Sequence, residues 1–157
     1  MIRRTLETKR MAAPRAKKKI LIVEDDPAFR EIISILLQDA GYEVHEAEHA
    51  FGAICAMVRA GADLVLADIR MPIVDGFSMI RELRSHEDTR HVPVVVVTGF
   101  DTPESRTEAQ KTGCIGYLTK PIDPRKFPGQ IAEFLRQAKP QQTGATSPQK
   151  QQRPVAN

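Results

Sequence analysis

The chain has 157 residues, 41% of them hydrophobic and only 5% aromatic with no Trp, which fits a single domain with an aliphatic core. No stretch approaches the roughly 20 apolar residues that cross a bilayer as a helix, and no apolar run follows the basic N-terminus as in a secretory signal, so a cytoplasmic protein is expected. The formal charge of +3 averages opposite segments: residues 1–19 hold eight Lys or Arg against one acid, residues 138–157 three bases and no acid, and residues 20–137 twelve bases against 19 acids.

In chain order, residues 1–18 form a basic arm that is expected to be disordered. Such an arm suits nucleic acid or an anionic membrane surface. This one lacks interleaved aromatics and leads into no recognisable binding motif, so nucleic-acid binding is not expected. Met11 offers a second start. From Lys19 onward, apolar runs and amphipathic stretches alternate five times, the pattern of a parallel sheet covered by helices.

Strands are predicted at 19–23, 43–47, 63–67, 93–98 and 115–118. The first helix has Asp26 as N-cap and Pro27 at its first position. Phe29, Ile32, Ile33, Leu36 and Ala40 line one face before Gly41 ends it. Gly61 and Gly113 close the second and fourth helices. The fourth, about 103–112, starts at Pro103 and has Ala109 as its only clearly apolar residue. Helices are held chiefly by packing an apolar face, so this element is expected to be among the least firmly held, a property useful in a switch.

The last helix carries Phe127, Ile131, Phe134 and Leu135 on one face, with Pro128 in its first turn. Residues 138–157, rich in Gln, Pro, Ser and Thr, are expected to be disordered and to leave no room for an output domain. The two cysteines, Cys55 and Cys114, are read as small buried hydrophobes with no disulfide framework. The four histidines, His45, His49, His86 and His91, are scattered, and a zinc site is not expected.

Polar features stand at the carboxyl ends of four apolar runs. Glu24-Asp25 follows Ile20 to Val23, Asp68 follows Leu64 to Ala67, Thr98 follows Val94 to Val97, and Lys120-Pro121 follows Ile115 to Thr119. Parallel strands of one sheet would gather all four at a single edge, where open α/β sheets place their sites. Three acids there repel one another unless a cation neutralises them, and hard oxygen ligands suit Mg2+. A metal beside Asp68 favours phosphoryl acceptance, which depends on positioning and on neutralising charge over the transferred oxygens. Lys120 supplies a second positive charge and Thr98 a hydroxyl. Carboxylates do serve as nucleophiles toward phosphorus.

Val23-Glu24-Asp25-Asp26-Pro27, Asp68 with Met71-Pro72 and Asp75-Gly76, Thr98-Gly99, and Tyr117-Leu118-Thr119-Lys120-Pro121 together resemble the receiver domains of two-component response regulators. Singly each motif is weak, but the combination is specific and spans about residues 18–137. The resemblance implies a doubly wound, flavodoxin-like α/β fold with a five-stranded parallel sheet in the order 2-1-3-4-5 and five helices, with the domain at 19–137. It implies that Asp68 accepts a phosphoryl group from a histidine kinase or phosphotransfer protein. Asp25 and Asp68 would bind Mg2+ with the main-chain carbonyl of Arg70, and Glu24 through water. Lys120 would pair with the phosphoryl group, and its bond to Pro121 would be cis. Thr98 would move toward the phosphate while Tyr117 turns from outside to inside, switching the surface of helix four, strand five and helix five.

The resemblance further implies a stand-alone regulator that signals in trans to a downstream protein, with no enzymatic turnover beyond self-phosphorylation and slow self-dephosphorylation. Homodimerisation on phosphorylation is compatible with the switched surface. Arg70 and Phe100, two residues after Asp68 and Thr98, flank the path of water to the phosphate and are expected to slow hydrolysis, while the small Gly99 leaves the pocket more open. A phosphate-independent interaction module has no need of these acidic, hydroxyl and amine positions. A hydrolase needs a further general acid or base, which Ile69 and Arg70 do not supply. A flavin site needs a phosphate-cradling loop where Glu24-Asp25-Asp26 stands.

Overall fold

The structure is a computed structural model describing residues 15–138. Five strands and five helices alternate: β1 (Lys19–Val23), α1 (Pro27–Asp39), β2 (Glu43–Ala47), α2 (Ala50–Ala60), β3 (Leu64–Ala67), α3 (Gly76–Ser85), β4 (Val94–Thr98), α4 (Pro103–Lys111), β5 (Gly116–Thr119) and α5 (Phe127–Gln137). The strands form one parallel sheet in the order β2-β1-β3-β4-β5, the flavodoxin-like order expected from the motifs. The third to fifth strands are shifted or trimmed by one residue at an end relative to the sequence reading, within the ordinary uncertainty of strand ends.

The central strands are apolar on both faces because helices cover both. Leu21, Val23, Val65, Ala67, Val94 and Val96 face one core with Ala53 and Met57 of α2, Met79, Ile80 and Leu83 of α3, and Ala109 of α4. Their alternating neighbours Ile20, Ile22, Leu64, Leu66, Val95 and Val97 face a second core with Ile33 and Leu37 of α1 and Phe127 and Ile131 of α5. Side chains of a strand point alternately to its two faces, so each strand feeds both layers.

Asp26 caps α1 by accepting from the Ala28 and Phe29 N–H groups, with Pro27 following as predicted. The buried stripe of α1 is rotated from the predicted one. Ile33, Ser34 and Leu37 are buried, Phe29 and Leu36 partly so, while Ile32 is 50% exposed and Ala40 lies at the surface. Five positions span too wide an arc for a helix that touches the sheet along one line, and Ile32 falls at its edge. On α5, Phe127 and Ile131 are fully buried and Phe134 and Leu135 only partly. As expected, α4 buries little: only Ser105 and Ala109 are inside.

Cys55 and Cys114 are free and half-buried rather than enclosed: Cys55 lines the open groove beside β2, and Cys114, ahead of β5, packs at the margin of the core. The expectations for the basic arm and polar tail lie almost wholly outside the described residues. At their boundary, the Lys18 carbonyl accepts from the Glu43 N–H, and its ammonium lies 3.0 Å from Asp63.

Candidate active site at the carboxyl edge of the sheet

Parallel pairing in register brings Val23 beside Ala67, and Thr98 beside Thr119, so the residues that follow these strands emerge together. The Asp68 N–H donates to the Val23 carbonyl and the Lys120 N–H to the Thr98 carbonyl. These two bonds place the acid and the amine across the β1–β3–β4–β5 edge. The Lys120–Pro121 bond is cis.

Asp68 and Glu24 are almost fully buried, Asp25 is exposed, and Thr98 is 1% exposed. Carboxylate oxygens of Glu24, Asp25 and Asp68 all lie within 4.8 Å of one another. The Lys120 ammonium donates to Glu24 Oε2 at 2.6 Å and to Asp68 Oδ2 at 3.1 Å. It also sits 4.2 Å from the centre of the Phe29 ring, a cation–π contact that steadies its stem. The other oxygens are held by backbone: Glu24 Oε1 accepts from the Asp26 N–H and Asp68 Oδ1 from the Arg70 N–H.

Burial pushes the Glu24 carboxyl above the ordinary glutamate range, and the Asp68 charge adds to this against the pull of Lys120 and the Asp26 N–H. Burial works to lower the Lys120 ammonium, but the Glu24 hydrogen bond and the Asp68 charge outweigh it and hold it above the usual lysine range. Three carboxylates against one ammonium leave the cluster net negative. Their hard oxygens, one set exposed at Asp25, fit a Mg2+ ion that keeps part of its water shell.

Above Asp68 opens a pocket of about 260 Å³ lined by Asp68, Arg70, Thr98, Gly99, Phe100 and Lys120. Thr98 Oγ1 accepts from the Phe100 N–H. The Arg70 guanidinium lies 4.6 Å from the centre of the Phe100 ring, so two side chains from separate loops roof one side of the pocket. Tyr117 lies against α4: its hydroxyl donates to the Phe100 carbonyl at 2.8 Å and is 2.7 Å from Ser105 Oγ. The Arg106 guanidinium covers the Tyr117 ring at 4.6 Å.

The structure thus gathers Glu24, Asp25, Asp68, Thr98 and Lys120 at one edge, with Arg70 and Tyr117 at its margin. It adds residues that the sequence reading did not single out for the site. Phe29 was read only as core. Arg30 donates to the Glu24 carbonyl at 2.6 Å and fixes the loop after β1. Ser105, read as part of a polar helix, is buried and links α4 to Tyr117. Gly76 was visible as part of a motif but not explained: its N–H donates to the Ile69 carbonyl, and a Cβ there would collide with the Asp68 carbonyl and the Ile69 Cα.

The response regulator receiver domain model matches residues 20–132. Among curated proteins, the chain is 34% identical over 118 residues to the DNA-binding dual master transcriptional regulator RpaA of Synechocystis, covering 75% of this chain and 49% of RpaA. It is 33% identical over 123 residues to the phosphate regulon transcriptional regulatory protein PhoB of Pseudomonas aeruginosa, covering 78% of this chain and 54% of PhoB. The chain therefore spans about half the length of these relatives. Among solved structures, chemotaxis protein CheY4 of Vibrio cholerae is 30% identical with a TM-score of 0.72, covering 76% of this chain and 99% of that one. The receiver domain of the sensor histidine kinase PA1611 from P. aeruginosa, solved with a magnesium ion in its active site cleft, is 30% identical with a TM-score of 0.70, covering 77% and 99%. With the sheet order, the edge cluster and these matches in agreement, the chain belongs to the receiver-domain family of the response regulators of two-component signalling.

Proposed function

We propose that this protein is a phosphoacceptor whose Asp68 takes a phosphoryl group from the phosphohistidine of a kinase or phosphotransfer protein. The observation that carries this reading is the pairing of the buried Asp68 carboxylate with Lys120 beneath an open pocket. A carboxylate oxygen of Asp68 forms the new P–O bond as the P–N bond to histidine breaks, and the imidazole leaves. Lys120, within reach of Asp68, faces the negative charge on the transferred oxygens, and the Thr98 hydroxyl lines the same pocket. Asp25, Asp68 and the Arg70 carbonyl would hold Mg2+, which would supply charge neutralisation when bound. Glu24, whose oxygens already meet Lys120 and the Asp26 N–H, acts through water.

Signalling then runs through Tyr117, because its hydroxyl joins the loop after Thr98 to α4, the helix with the smallest buried face. Any change in the Thr98–Phe100 turn is felt there. The phosphorylated domain acts on a partner protein as a signal carrier rather than a turnover enzyme. No helix among the described residues is long and apolar enough to cross a membrane. The test is titration with beryllofluoride and Mg2+ followed by backbone amide NMR. Shifts at Asp68, Thr98 and Tyr117 that spread into α4 support the reading, and an unchanged spectrum refutes it.

A further inference from the structure

Helix α2 is unlike the other surface helices. Its sequence, Ala50-Phe51-Gly52-Ala53-Ile54-Cys55-Ala56-Met57-Val58-Arg59-Ala60, holds one charged residue. Ala50, Ala53 and Met57 already fill the core. On the opposite side Phe51 is 74% exposed and Val58 79% exposed, with half-buried Cys55 between them at helical spacing. A helix that is apolar all round belongs in an interior, and this one is covered by its own domain on one side only.

Beside the stripe runs a groove of about 640 Å³ between α2 and the edge strand β2. Gly52, Cys55 and Ala56 are small enough to leave it open, and Phe51 projects at its rim. Knob and hole therefore lie side by side on one surface. The charges are arranged in the same sense. Just ahead of the N-terminal end of α2, Glu48 is exposed and shares the single guanidinium of Arg30 with Glu46, which projects from the α1 face of β2, leaving excess negative charge at this end. At the C-terminal end, Arg59 is exposed, and no ion pair among the described residues engages it.

We propose that the α2 face is a homodimer interface, with a second copy of this chain packed antiparallel across a two-fold axis near Cys55. A two-fold contact must be self-complementary, and this surface is. The operation sets Phe51 against Val58 and the groove of the partner, and Arg59 toward the partner's exposed Glu48. A parallel arrangement would oppose like charges instead. Charged Glu43 and Glu46 on β2 disfavour joining through the sheet edge, which leaves the helix face as the contact. The patch is small, so the dimer belongs to the weak, transient class.

The full chain is examined by sedimentation from about 1 to about 500 µM, a range that brackets weak dimers. The expected result is a mass that rises from 17.5 kDa toward twice that value. Phe51→Glu and Val58→Glu, both at exposed positions, hold the mass at one chain throughout, while Ile35→Glu on the exposed side of α1 leaves dimerisation unchanged. Arg59→Glu weakens association about tenfold, and adding Glu48→Arg restores it. In Cys114→Ser protein a short bis-maleimide joins two chains through Cys55. A chain that stays monomeric at the highest concentration overturns the proposal, as does a dimer indifferent to Phe51→Glu or one that Ile35→Glu abolishes.

Discussion

The Lys120 ammonium lies nearer to Glu24, at 2.6 Å, than to Asp68, at 3.1 Å, so the amine beside Asp68 is also the counter-charge of a carboxylate that is 2% exposed. Removing it as Lys120→Met leaves Glu24 buried and unpaired. Breaking such a pair destabilises by about 3–5 kcal/mol. The sign of the pH dependence follows from Glu24, whose carboxyl is already raised by burial and rises further without Lys120. The folded variant then holds its proton more tightly than the unfolded chain. Its deficit is full at pH above the raised folded value and shrinks as pH falls from there toward the ordinary glutamate value of about 4.3. Urea melts of both proteins at several pH values measure this. An equal deficit at every pH contradicts it.

Gly76 starts α3 directly against the backbone of Asp68 and Ile69. In Gly76→Ala, the added methyl forces apart the Asp68–Ile69 segment and the start of α3. Overpacking of this kind costs about 1–3 kcal/mol. The variant should melt earlier and accept phosphate more slowly than the wild type, as read by thermal melts and timed acetyl phosphate labelling.

Ile73 sits in the loop between β3 and α3 with φ of 71° and a fully exposed side chain. A β-branched residue is strained in this left-handed region, and burial gives nothing back here. Ile73→Gly relieves the strain at some cost in chain entropy and should stabilise the fold by about 0.5–1 kcal/mol. A lower urea midpoint for the variant would refute this.

Arg70 and Phe100 close one side of the pocket by a cation–π contact. If the roof limits water access, opening it shortens the life of the phosphoryl group. A contact of this exposure is worth about 0.5–1 kcal/mol, so Phe100→Ala should speed dephosphorylation about twofold to fivefold. Phosphate release after removal of the donor gives the rate. A half-life of only seconds in the wild type would show that the roof does not protect the phosphate.

Apolar runs ending in polar residues were enough to read the sheet and its loaded edge, because a buried parallel strand carries its signature in consecutive residues. The acids, Thr98 and Lys120 were legible for the same reason. What escaped were contacts between elements distant in sequence. Nothing near Phe29 announces that its ring will lie beneath Lys120, and Ser105 is a polar residue in a polar helix until Tyr117 meets it. The α1 stripe was drawn too wide because helical periodicity gives a face but not the angle at which it meets the sheet. The apolar exterior of α2 was likewise hidden, since composition alone does not separate a buried Phe51 from an exposed one.

Acceptance of a phosphoryl group by Asp68 with the help of a divalent ion underlies every step proposed above. It is tested most directly by intact mass after incubation with acetyl phosphate and Mg2+, for the wild type, for Asp68→Asn, and for the wild type with EDTA. The expected result is a single added phosphoryl group in the first sample and none in the other two. An adduct that survives Asp68→Asn, or no adduct at all in the wild type, would contradict it.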